Sequence, residues 1–89
     1  MTDSTRDHLH HLAVVPIDPS RLSRWREGAE RLGEASMGLR AELAALAREP
    51  TRHRLQRAAR AARWAEKQLT GEAALIANAL ATELENDAN

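Results

Sequence analysis

The chain is expected to be all-α, a long antiparallel helical hairpin, and three observations carry that expectation. The first is a pair of apolar stripes at heptad spacing. One is Leu22, Trp25, Ala29, Leu32, Ser36, Leu39, Leu43 and Leu46; the other is Leu55, Ala58, Ala62, Ala65, Leu69, Ala73, Ile76, Leu80 and Leu84. The second is that the stripes mirror each other about Glu49-Pro50. Folding there sets Leu43 against Leu55, Leu39 against Ala58, Ser36 against Ala62 and Leu32 against Ala65. Ala29 then meets Leu69, Trp25 meets Ala73 and Leu22 meets Ile76. Large residues mostly face small ones, as interdigitating helices require. The third is Pro50 itself, which lacks an N–H and whose ring clashes with the preceding helical turn.

Composition limits what such a hairpin does alone. The 89 residues allow one small domain, and they include no Cys, Phe or Tyr and only two Trp. No disulfide and no thiolate metal site is available. The core is therefore Leu and Ala with tryptophan, a thin apolar supply for two helices. Self-association into a dimeric four-helix bundle, or docking on a larger protein, is the physical expectation. Formal net charge is zero, so no global field attracts nucleic acid or acidic membranes. No apolar run of about 18 residues suits a bilayer. The start of the chain, with Asp3, Arg6 and Asp7, does not follow a secretory signal pattern, which makes a cytoplasmic protein the expectation. Arginine far exceeds the single lysine, Lys67, and alanine is abundant, a bias that suggests a GC-rich bacterial or phage source.

Along the chain, residues 1–18 form a polar, flexible start followed by an apolar strap, and residues 19–89 form the hairpin. Pro16 and Pro19 keep the strap from being helical. Continued outward, the mirror register sets Leu80 against Ile17 and Leu84 against Val14, so the strap would complete the core; a strand added to a partner's sheet is the other reading. Asp18-Pro19 supplies an N-cap with proline at the first helical position. Helix one is expected over about 19–48, softened by Gly28, Gly33 and Gly38. The turn is Arg48-Glu49-Pro50-Thr51, with Thr51 capping helix two, expected over about 51–85. Thr70-Gly71 marks a kink in helix two, or a break that splits it.

Candidate functional residues lie mostly on helix two. Arg52, Arg54, Arg57, Arg60, Arg63 and Lys67 crowd its first half, while Glu72, Glu83, Glu85 and Asp87 occupy the rest. This polarity opposes the helix dipole, so a compensating partner is expected: a second copy packed antiparallel, nucleic-acid phosphate or an acidic protein. A plain solvated face balanced by Glu27, Glu30, Glu34 and Glu42 of helix one is the bland reading. Trp64 and Leu75 fall outside the seam on a helical wheel, flanked by Ala61 and Ala79, with Arg57 and Arg60 nearby. A tryptophan beside arginines suits a protein interface. Met37 is expected exposed on the hairpin's other side. The stretch from Thr51 through Gln68, about a fifth of the chain, resembles in composition the arginine-rich RNA-binding helices of phage antiterminators, which implies RNA as its ligand.

Catalysis and cofactors are not expected. No Gly-rich phosphate loop or strained nucleophile elbow is present, and the glycines at 28, 33 and 38 fall inside a helical pattern. His8, His10 and His11, with Asp7, lack the further ligands that a structural metal site needs. Ser36 in the seam suits helix spacing, and isolated His53 suits the solvated turn. The functional expectation is a small noncatalytic protein-binding module: an adaptor, assembly factor or inhibitor of a larger protein, with homodimerisation. Its contact residues would be Trp64, Leu75, Arg57, Arg60 and Met37. The alternative is RNA or DNA binding through the six basic residues of helix two.

Overall fold

The computed structural model describes residues 14–89. These residues are all-α. Four helices follow one another: α1 (Pro19–Glu30), α2 (Met37–Arg48), α3 (Arg52–Gln68) and α4 (Gly71–Ala88). A 3-10 turn, Gly33–Ser36, joins α1 to α2. Residues 1–13, which include the expected flexible start, the beginning of the strap, and His8, His10 and His11, lie outside the described residues.

Each helix start has a local cause. Asp18 Oδ1 accepts hydrogen bonds from the Ser20 N–H and hydroxyl, both at 2.9 Å, and Pro19 follows at the first helical position. Thr51 is buried, and its hydroxyl accepts the Arg54 N–H at 3.2 Å, satisfying a donor that the first turn of α3 leaves free. Between these helices, Pro50 sits in the turn where α2 ends.

The two long helices expected from the stripes are each divided, and this corrects the simple hairpin. Gly33 has φ +66° and Gly71 has φ +61°, a region open to glycine and strained for residues with a Cβ. At the end of α1, the Arg31 and Leu32 N–H groups close back on Glu27, Gly28 and Ala29, and Gly33 then turns the chain out of the helix. At the end of α3, Leu69 and Thr70 are both extended, and Gly71 starts a new helix. The break at Thr70-Gly71 is therefore a reversal.

Side-chain contacts give the path after each break. Arg63, late in α3, reaches Asn78, Thr82 and Glu85, while Arg52, at the start of α3, donates to the Ala88 carbonyl. So α4 doubles back along α3. Arg21 meets Asp87 at 3.0 Å and Arg24 meets Glu83 at 2.8 Å, so α1 and α4 also run in opposite senses. Each helix packs on the next, and α4 closes against α1; the α3–α4 contact is the most extensive.

Beside the first turn the antiparallel register of the stripes is visible. Glu42 and Arg57 face each other at 2.7 Å across α2 and α3, and Leu39, Leu43, Leu55, Ala58, Ser36 and Ala62 are buried around them. Past Leu69 the partners change. Trp25, expected beside Ala73, instead directs its indole N–H to Glu83 at 3.4 Å. Leu80, expected against Ile17, packs on Gly28: a Cβ placed there would lie 3.3 Å from a Leu80 methyl. Val14, expected against Leu84, forms an isolated antiparallel bridge with Thr51, and the Val15 N–H donates to the Pro50 carbonyl at 2.7 Å. Val15 and Ile17 still pack against the core, so Val14–Ile17 lies across the α2–α3 turn.

The stripe residues nevertheless build the core. To them the structure adds Ala59, Ala77, Ala81 and Ala88, all buried on the α3–α4 pair. Small side chains let two helix backbones approach closely.

The two glycine reversals make a direct prediction. Gly33→Ala and Gly71→Ala should each lower stability by about 1 kcal/mol in urea titrations, because alanine is strained at positive φ. Gly38→Ala should not destabilise, since an added methyl there meets nothing within 4 Å and φ is ordinary.

Candidate protein-docking face

The inner side of α3 carries Leu55, Ala58, Ala59, Ala62 and Ala65, all buried. Trp64 therefore projects outward and is 58% exposed. It stands as a ridge between two grooves. One is an open cleft of about 620 Å³ between α3 and α4, where Arg60, Trp64 and Lys67 line one wall and Ala59 and Ala88 contribute small side chains. The other is lined by Glu34, Met37, Gly38, Ala61 and Trp64.

Met37 thus shares a groove with Trp64, where the wheel had put it on the opposite side. The reason is the turn at Pro50, which runs α2 antiparallel to α3 and so sets the start of α2 alongside the second half of α3. Leu75 is exposed, as its position off the seam suggests, but it lines neither groove. A wheel drawn through Thr70 does not hold once α4 has turned back.

The basic half of helix two divides into paired and unpaired charges. Arg63 is clamped: its guanidinium donates to Glu85 at 2.7 and 2.8 Å, to Glu66 at 2.9 Å and to Asn78 at 2.7 Å. Those bonds raise the Arg63 pKa above its ordinary value, and the Arg63 hydrogen bonds hold the Glu85 carboxyl below its own. Arg57 is bound to Glu42, and Arg54 lies 3.5 Å from Glu49. Arg52 places its cation on a terminal carbonyl of α4, where the dipole favours positive charge. The compensating acid expected from a partner is supplied largely by the chain itself. Arg60 and Lys67 form no ion pair among the described residues. His53 is exposed and lines a shallow groove with Glu42, Arg57 and Arg60.

A second charged cluster was not found by sequence reasoning. Glu83 accepts from Arg24 at 2.8 Å and from the Trp25 indole at 3.4 Å, with Arg21 Nε 3.5 Å away. Arg21 also lies over the Trp25 ring, 5.3 Å from its centroid. Burial pushes the Glu83 carboxyl up, but the bonds from Arg24 and Trp25 and the two arginine charges outweigh it and leave its pKa lowered. The cluster ties α1 to α4. Its only sequence signal is matched spacing, Arg21 and Arg24 on one turn and Glu83 and Asp87 on another, which is meaningful only once α4 faces α1.

The carboxylates serve as ion-pair partners, and Ser36 donates its hydroxyl proton to the Gly33 carbonyl at 2.7 Å, bracing the 3-10 turn. Among the described residues, no group of three or more His, Cys, Asp or Glu is placed to hold a metal ion, and no helix is long and apolar enough to cross a membrane. No known protein family, curated protein or solved structure matches the chain.

The depressed carboxyls set an acid response. Glu83 and Glu85 have folded pKa values below their unfolded ones, so their stabilisation is present above the unfolded carboxyl pKa of about 4.3 and is lost as pH falls through the folded values. Thermal melts followed by circular dichroism should show the melting temperature dropping between about pH 5 and about pH 3. A Glu83→Gln, Glu85→Gln double variant should melt lower at neutral pH and depend less on pH.

Proposed function

We propose that this chain is a small noncatalytic protein-binding module, an adaptor, assembly factor or inhibitor of a larger protein, that docks through the Trp64–Met37 face. One observation carries the reading: two large apolar side chains, 58% and 63% exposed, line one groove while the stripe leucines and Trp25 are buried. Exposed apolar patches rimmed by polar groups mark interaction sites, and tryptophan is among the strongest interface anchors. Arg60 beside Trp64 fits the same use, with Arg57 one turn earlier beside Glu42.

Homodimerisation through this face takes a changed form. Four helices of one chain already enclose the core, so a dimer would join two four-helix units at Trp64. It would not assemble one bundle from two hairpins. The nucleic-acid alternative has less support, because Arg52, Arg54, Arg57 and Arg63 are engaged within the chain and only Arg60 and Lys67 of that block lack such a contact.

Purified protein immobilised as bait, compared with its Trp64→Ala and Met37→Ala variants, tests the reading. Both variants should retain their helicity and lie within about 0.5 kcal/mol of the parent in stability, since exposed positions contribute little. The parent should retain one partner protein at physiological salt, and Trp64→Ala should lose it. Retention of nucleic acid that high salt strips away, unaffected by Trp64→Ala, would support the alternative instead.

A further inference from the structure

Arg60, Trp64 and Lys67 stand at positions i, i+4 and i+7 of α3, one straight row spanning about 10.5 Å. All three are exposed and line the same wall of the α3–α4 cleft. Arg63, which also lines it, is held by Glu85 at 2.7 Å and by Glu66 at 2.9 Å, while Arg60 and Lys67 form no ion pair among the described residues. The cleft therefore presents one apolar ring between two cations without an ion pair among the described residues, beside the buried methyl groups of Ala59 and Ala88.

Resting on the docking reading above, we propose that the occupant of this cleft is an acidic amphipathic helix of another protein. The complementary pattern is a large aliphatic residue flanked by two carboxylates, Glu-x-x-x-Leu-x-x-Glu. Its leucine covers the Trp64 indole, and its glutamates, also about 10.5 Å apart, pair with Arg60 and Lys67. Charge complementarity separates this occupant from a neutral apolar helix, which would leave both cations beside a drying surface without a counter-charge. A basic helix would meet like charges at both ends of the row.

The probes are three synthetic helical peptides sharing one leucine stripe, with the flanking positions set to Glu, Gln or Lys, plus a short thymidine oligonucleotide. Binding to the full chain is read from the indole N–H resonance of Trp64 by NMR, with the buried Trp25 resonance as an internal control. The Glu peptide should bind most tightly, losing about three- to five-fold in affinity for each Glu→Gln replacement and weakening with salt. In the protein, Arg60→Gln and Lys67→Gln should each produce a similar loss for the Glu peptide and none for the Gln peptide. Equal binding of the Glu and Gln peptides, abolished by Trp64→Ala, would overturn the acidic partner and leave the docking face standing. Failure of all three peptides to shift Trp64 would overturn both readings. Tighter binding of the oligonucleotide than of the Glu peptide would overturn the acidic partner, as would a concentration-dependent doubling of mass that Trp64→Ala reverses.

Discussion

The reversal at Leu69, Thr70 and Gly71 is the constraint on which the rest of the structure depends. Two extended residues and a glycine at positive φ turn α4 back along α3. Without that turn, the acidic end of the chain would lie far from the arginines that hold it. With it, Glu85 reaches Arg63, and Glu83 and Asp87 reach Arg24 and Arg21. One local backbone event therefore sets the α3–α4 interface, the α1–α4 ion pairs and the cleft beside Trp64.

A chain without phenylalanine or tyrosine encloses a core by using many small contacts in place of a few large ones. Alanine loses no side-chain entropy on burial and favours helix, so each buried alanine imposes little ordering cost. Ala59, Ala77, Ala81 and Ala88 make close helix approach feasible, and Gly28 does the same where α1 meets Leu80. Trp25 is the one large anchor. It is fully buried, its indole N–H has an acceptor in Glu83, and its ring lies under Arg21. Burying an indole with its polar atom satisfied retains the apolar gain without an unpaired donor.

Much of the fold was legible in the residues. The helical class, the caps at Asp18 and Thr51, the turn at Pro50 and the identity of most core residues all follow from short-range rules. The two breaks were less legible. An interior glycine costs on the order of 1 kcal/mol, which tertiary packing easily offsets or exploits, so Gly33 and Gly71 read as soft spots as readily as reversals. Heptad stripes are equally silent about where a helix turns back, because Leu80 and Leu84 face inward in a long hairpin and in a four-helix arrangement alike. The exposure of Trp64, Leu75 and Met37 was legible from the wheel. The grouping of Met37 with Trp64, and the separation of Leu75 from both, depended on the turns.

The most direct test of this fold is a distance between α3 and α4. The chain has no native cysteine, so spin labels at Gln56→Cys and Asn86→Cys report without background. Gln56 lines the same cleft as Glu85 and Ala88, so the labels should lie within about 25 Å of each other in a pulsed electron-resonance measurement. An unbroken second helix would hold them about 45 Å apart, and a distribution centred there would contradict the reversal and everything built on it.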